Sequence, residues 1–125
     1  MVVEDNWIRK QHQIINFVQF CLMLVNMGNV ENIRLITGFN DPEQINAFEE
    51  LKDSLINFKI SLSHEFSDKI HDRNINTDDG WVIDLGRGLD IYKRPGSWYT
   101  IEAEDYERRA CFKTIINIRQ KSENR

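Results

Sequence analysis

Asn32-Ile-Arg-Leu-Ile-Thr37, the loop Gly38 to Asn40, Asp41-Pro-Glu-Gln44 and Ile60-Ser-Leu-Ser-His-Glu-Phe66 decide the fold of this chain. The first run alternates and carries β-branched side chains, which favours a strand. Asp41 at a cap, Pro42 at the first helical position and Gln44 three residues after the cap can satisfy orphan amides, so a helix starts here. Ile45, Phe48, Leu51 and Leu55 follow at helical spacing and give that helix one apolar face, ending near Asn57. Ile60, Leu62, His64 and Phe66 then alternate with Ser61, Ser63 and Glu65 as a second strand. A strand, helix, strand unit of this kind is normally a right-handed crossover between parallel strands.

On the N-terminal side, Ile8, Ile14, Ile15, Val18, Cys21, Leu22 and Val25 recur at steps of three and four, and Phe17, Phe20, Met23 and Leu24 widen the stripe. This pattern predicts one long helix from Asp5 to Met27, closed by Gly28 and Asn29. Phe20, Met23 and Leu24 exceed what one buried face needs, which makes them candidates for a dimer contact. On the C-terminal side an extended run through Ile70, His71 and Ile75 enters the turn Thr77-Asp-Asp-Gly80, and Trp81 to Leu85 leaves it, a hairpin signal. Gly86 to Asp90 breaks the regularity, Pro95-Gly96 makes a further turn, and Phe112 to Ile118 alternates as a last strand. The expected class is α/β, a mixed sheet flanked by helices in a single domain over 1–125.

The 125 residues (14.8 kDa) are enough for one core without metal or disulfide staples. The longest apolar run, Phe20 to Val25, is too short for a membrane span, which takes about 20 residues, and the first ten residues are too polar for a signal peptide. A soluble cytoplasmic domain is the expectation. Cys21 and Cys111 stand far apart, which excludes a CxxC pair or a zinc knuckle, and reduced core thiols are expected with no metal or cofactor. The net charge is −4, but residues 1–68 carry 5 basic and 10 acidic groups and residues 69–125 carry 11 and 10. A strongly basic field is absent, so nucleic acid is an improbable partner and any anion must be met locally, with Arg87, Lys93, Arg94, Arg108, Arg109 and Lys113 as candidates.

His71-Asp-Arg-Asn-Ile-Asn-Thr-Asp78 carries the chemistry. On an extended segment His71 and Arg73 share a face, and such a pair can bind a phosphate, the imidazole as nucleophile or proton donor and the guanidinium as counter-charge. The spacing resembles the HxK(x)4D signature of the phospholipase D superfamily, with Arg73 in place of lysine and Asp78 in the last position. Only one copy of the motif is present. His71, Arg73 and Asp78 are therefore the catalytic candidates if the domain is an enzyme. The competing reading makes His71 and Arg73 anion-binding groups or structural partners of Asp78 and Asp90.

A longer resemblance includes Asp5-Asn-Trp-Ile-Arg9, His12-Gln13, Asn16-Phe17, Ile70-His-Asp-Arg73, Gly80-Trp81 and Leu85-Gly-Arg-Gly-Leu-Asp90. Over about Glu4 to Ile118 the chain resembles the C-terminal phospholipase D-like domain of MIT-domain-containing cytokinesis proteins. The resemblance implies a phospholipase D-like fold and a homodimer. It implies a non-catalytic adapter for acidic phospholipids, including phosphoinositides, on a peripheral membrane at the midbody. ESCRT-III subunits would be met only through an MIT domain, which this chain does not contain. On this reading His71, Arg73, Arg87, Lys93, Arg94 and Trp98 meet lipid or anion, with Trp98, Tyr99 and Tyr106 suited to an interfacial loop. Asp72, Trp81, Gly86, Gly88 and Asp90 are structural, although the glycine run could also cradle a phosphate with backbone donors. The alternative is a phosphodiesterase or nuclease whose two subunits each lend one half-motif to a shared site.

Overall fold

The structure is a computed structural model and describes residues 1–69, 72–89, 97, 99–101, 105 and 113–120. Its elements are β1 (Val2–Glu4), α1 (Gln11–Met27), β2 (Asn32–Thr37), α2 (Pro42–Ile56), β3 (Ser61–Phe66), β4 (Asn74–Asn76), β5 (Trp81–Leu85) and β6 (Ile116–Gln120). They form one six-stranded mixed sheet in the order β3-β2-β1-β4-β5-β6. β1, β2 and β3 are parallel, and β4, β5 and β6 extend the sheet antiparallel from β1. The α/β mixed-sheet expectation holds.

The crossover over residues 32–66 forms as the residue pattern demands. Asn32 to Thr37 pairs in register with Ser61 to Phe66. Asp41 caps α2, Pro42 opens it, and Gln44 Oε1 accepts the amides of Asn40 and Asp41, both at 3.0 Å. Two successive right-handed connections stepping from β1 to β2 to β3 place α1 and α2 on the same face of the sheet. The edge-on pair Phe17 and Phe48, ring centroids 6.4 Å apart, joins the two helices over that face. Val3, Ile33, Leu35, Leu62 and Ile75 point up into it from the strands and complete the core with Ile14, Cys21, Leu24 and Leu51. The second face carries Arg34, Glu65, Asp84 and Arg119, ion-paired across neighbouring strands as Arg34 with Glu65 and Arg119 with Asp84. The Thr77 to Gly80 turn joins β4 and β5 as a hairpin, with Gly80 at φ 94°.

Three expectations need correction. The helix from Asp5 begins at Gln11, because Val2–Glu4 is an inner strand between β2 and β4, and residues 5–10 form the loop that leaves it. A three-residue strand is too short to show alternation, and its β-branched Val2 and Val3 are the only local signal. The buried face of α1 runs through Ile14, Phe17, Cys21 and Leu24, while Val18 and Leu22 are exposed. A helix apolar on all sides does not reveal its inner face by periodicity, and here the large Phe17 and Leu24 take it. Of the surplus side chains, Leu24 is buried and Phe20 packs against Phe17, so only Met23 stays half-exposed. The last strand starts at Ile116, and Lys113 to Ile115 lead into it without strand structure.

Cys21 is buried in the core, and burial pushes its thiol up from 9.0 to about 12. The folded protein holds this proton where the unfolded chain gives it up, so the thiol's contribution to stability is intact below about pH 9 and declines as the pH rises toward 12. Iodoacetamide at pH 8 should leave the Cys21 peptide unmodified in native protein and alkylate it fully in denaturant, as read by peptide mass mapping.

Candidate functional site at the carboxyl edge of the parallel strands

β1, β2 and β3 end at Glu4, Thr37 and Phe66, while β4 starts beside Glu4, β5 ends at Leu85, and β6 starts opposite Leu85. One edge of the sheet therefore gathers Asp5 to Lys10, Gly38 to Asp41, Ser67 to Lys69, Asp72 and Arg73, Gly86 to Leu89, and Lys113 to Ile115. Both helices also start there, so their positive dipole ends face this edge. In open α/β sheets this is the edge where ligands bind.

Asp5 is its structural hub. It is 1% exposed, its Oδ1 accepts the Trp7 amide at 3.0 Å, its Oδ2 accepts the Leu89 amide at 2.9 Å, and Arg73 Nε lies 3.8 Å from Oδ1. Three segments far apart in sequence are thus tied to one carboxylate. Gly88 completes the packing, because it sits at φ +60° and a Cβ there would lie 2.1 Å from Asp5 Oδ2 and 2.9 Å from Arg73 Cδ. No side chain fits. The Arg73 guanidinium extends toward Trp7, 6.0 Å from its ring centroid.

A second knot joins the two βα loops. Gln44 is 0% exposed, and besides accepting two amides it donates Nε2 to the carbonyls of Ile8 at 2.8 Å and Gly38 at 2.9 Å. Gly38 lies against the other loop, where a Cβ would meet the Asn6 carbonyl at 2.9 Å. Beyond this knot Phe39 and Asn40 both adopt positive φ, 83° and 99°. Phe39 faces Trp7 with ring centroids 5.3 Å apart, and Arg9 lies over the Phe39 ring at 4.2 Å while pairing with Asp41 at 2.7 Å. Asn6 Oδ1 and Thr114 Oγ1, on this same edge, are buried with no hydrogen-bond partner among the described residues.

The sequence-derived candidates divide in three. Arg73 stands on the edge, held by Asp5, and with Asp72, Asp84, Leu85, Gly86, Ile115 and Asn117 lines a cleft of about 520 Å³. Arg87 is half-buried and engaged, and Gly86 and Gly88 belong to the same turn. Asp78 is elsewhere: β4 separates it from Arg73 by roughly 10 Å of strand, it is 89% exposed, and its carboxylate meets the Met1 amino group at 3.0 Å. The two do not pair, since the hairpin turns Asp78 to the opposite edge. Trp81 starts β5 at that opposite edge, half-exposed, with its amide bound to Thr77 Oγ1 at 2.9 Å. His71, Asp90, Lys93, Arg94 and Trp98 lie outside the described residues, as do Tyr106, Arg108, Arg109 and Cys111.

Three amides of the glycine run are engaged within the fold. Gly86 N donates to Ile115 O, Gly88 N to Leu85 O, and Leu89 N to Asp5. A Cβ at Gly86 would meet the Ile115 carbonyl at 3.0 Å, and one at Gly88 would meet the Asp5 carboxylate. Asp5, Trp7, Phe39 and Gln44 were not singled out as site residues by residue chemistry. Gln44 was read only as a capping residue, and Asp5 and Trp7 were assigned to a helix. Among the described residues no group of His, Cys, Asp and Glu could hold a metal ion, and no helix is long and apolar enough to cross a membrane.

Residues 1–120 match the family described as the phospholipase D-like domain at the C-terminus of MIT. The chain belongs to this family. It is also 37% identical over 121 residues to MIT domain-containing protein 1 of Mus musculus, a match that covers 93% of this chain and 49% of that protein. The chain thus spans about half the length of this relative. The six-stranded mixed sheet agrees with a phospholipase D-like fold.

The hub makes a graded prediction. Removing Asp5 leaves two amides and a cation unpaired, and adding a Cβ at Gly88 displaces the same carboxylate, so Asp5→Ala and Gly88→Ala should each cost about 2–4 kcal/mol. Arg73→Ala leaves Asp5 with both amides and should cost about 1–2 kcal/mol. Urea denaturation measures all three, and equal small losses would contradict the hub.

Proposed function

We propose that this domain is a non-catalytic membrane adapter that binds acidic phospholipids, phosphoinositides among them, as a homodimer. The observation that carries the reading is the gathering of Arg9, Lys10, Lys69, Arg73, Arg87 and Lys113 on one edge of a chain whose net charge is −4. Lys10, Lys69 and Lys113 are exposed there, where an anionic surface can meet several at once. The arrangement around Arg73 favours binding over turnover. Its Nε faces Asp5 and its Cδ lies beside Gly88, which builds the side chain into the frame. Support for a dimer comes from apolar surface on the core-facing side of β5 and β6, where Trp81 and Ile116 are half-exposed and Ile118 more so, and from Val18, Leu22 and Met23 on α1.

Family membership extends the proposal to the cell. Within a longer chain that carries an MIT domain, this module would hold that domain on a cytoplasmic membrane face. ESCRT-III subunits at the midbody during cytokinesis would be its indirect partners. A phosphodiesterase built from His71 of two subunits is the alternative, motivated by the single half-motif.

Three measurements test the reading. Light scattering should give twice the 14.8 kDa of the protomer. The protein should sediment with phosphatidylserine or phosphoinositide vesicles and not with phosphatidylcholine. Each exposed lysine near an anionic surface contributes about 1 kcal/mol, so the Lys10→Glu, Lys69→Glu, Lys113→Glu triple variant should lose vesicle binding by at least about tenfold, as should the wild type in high salt. No phosphodiester turnover is expected. Wild-type hydrolysis that disappears in a folded His71→Asn variant would replace the adapter with the enzyme.

A further inference from the structure

Trp7 and Phe39 are large aromatic side chains that the fold holds out of its core. They are 42% and 44% exposed, and they touch each other across two separate βα loops. The backbone beneath Phe39 is unfavourable for what it carries. Two consecutive non-glycine residues at positive φ each cost of order 1–3 kcal/mol, and glycine or asparagine is the residue such positions prefer. Asn40 fits that preference. Phe39 does not, and its ring is not buried deeply enough to offset the strain.

The conformation persists because Gln44 over-determines it. The buried amide binds the Asn40 and Asp41 amides on one side and the Ile8 and Gly38 carbonyls on the other, which fixes both loop backbones. Asp5 fixes the Trp7 amide from below. Cations flank the aromatic pair: Arg9 over Phe39, Arg73 beyond Trp7, and exposed Lys10 beside them in the chain. Rigid exposed aromatics ringed by cations match the headgroup layer of an anionic bilayer, where aromatic rings enter the boundary and guanidinium and ammonium groups meet phosphate.

We infer that Trp7 and Phe39 form a preset wedge that inserts into the interfacial layer of an acidic lipid bilayer. This rests on the acidic-lipid reading above and adds to it an apolar contact made by two named side chains. The electrostatic contact brings the edge to the surface and the wedge lengthens its stay. Binding by such a wedge is less sensitive to salt than binding by cations alone.

The test uses the full chain and phosphatidylserine/phosphatidylcholine vesicles. The Trp7→Ser, Phe39→Ser double variant should keep its circular dichroism spectrum and lose about tenfold or more in vesicle affinity. Ile56→Ser, Phe58→Ser removes two still more exposed apolar side chains from the opposite edge and should bind as the wild type does. The part of the tryptophan emission that Trp7→Phe removes should shift to the blue on vesicles in the wild type and be quenched by lipids brominated on their acyl chains. Wild-type sedimentation together with full binding by the double variant, or with unquenched Trp7, overturns the wedge and leaves the acidic-lipid reading standing. Failure of the wild type to sediment overturns both.

Discussion

The buried amide of Gln44 is the constraint on which the functional edge depends. A primary amide offers two donors and an acceptor oxygen with two lone pairs, and at Gln44 all four positions are filled by backbone groups. One of those groups, the Asp41 amide, would otherwise be an orphan at the start of α2, and the Asn40 amide lies just before it. The other two are carbonyls of separate loops, Ile8 after β1 and Gly38 after β2. One side chain therefore serves as a helix cap and as a tertiary clamp, and its full burial makes every one of its bonds costly to lose. Gln13 plays the capping half of this part on α1, accepting the amides of Arg9 and Lys10, so both helices start from a glutamine at the third helical position.

Asp5 does for the antiparallel half of the sheet what Gln44 does for the parallel half. Its amide extends the β1 to β2 ladder by bonding the Ile36 carbonyl, while its carboxylate crosses to Leu89 and Arg73. The two knots share the Asp5 to Lys10 loop, so Trp7 is braced from both sides. Gly38 and Gly88 are the points where these segments come too close for a Cβ, one against the Asn6 carbonyl and one against Asp5 itself. Burying a carboxylate is unfavourable unless hydrogen bonds and a counter-charge compensate, and here two amides and a guanidinium supply both.

Local signals were legible in the sequence and long-range ones were not. β2, α2, β3, the Thr77 to Gly80 turn and β5 each carry their own cap, alternation or turn residue and lie within a residue or two of where those signals put them, while the extended run expected from Ile70 is strand only over Asn74 to Asn76 among the described residues. β1 has three residues and acquires its identity only by pairing with Arg34 to Ile36 and with Asn74 to Asn76, partners distant in sequence. The inner face of α1 was hidden because Val18 and Leu22 are as apolar as Phe17 and Leu24, and only the space under the helix distinguishes them. Arg73 was read with His71 as a phosphate-binding pair or as a structural partner of Asp78 or Asp90, whereas its described partner is Asp5, a residue near the other end of the chain. Nothing in the spacing of a buried ion pair between distant segments marks it in advance.

The acidic composition of the chain and a role on anionic membranes are compatible for a reason of distance. The edge bears Arg9, Lys10, Lys69, Arg73, Arg87 and Lys113 against Asp5, Asp41, Glu43, Asp68 and Asp72, so its formal charge is near balance. Two of those carboxylates are already committed, Asp5 inside the hub and Asp41 to Arg9. Asp78 and Asp79 lie past the other end of the β4–β5 hairpin, about 15 Å away along the strands, and at physiological salt the screening length is about 8 Å. A bilayer touching the carboxyl edge therefore senses exposed ammonium groups and two helix N-termini far more than the remote acidic residues. Near balance also limits the purely electrostatic attraction, and this is where rigid exposed aromatics matter. An edge with few uncommitted cations gains from a second, salt-independent contact, and the strained Phe39 loop is the part of the structure shaped to provide it.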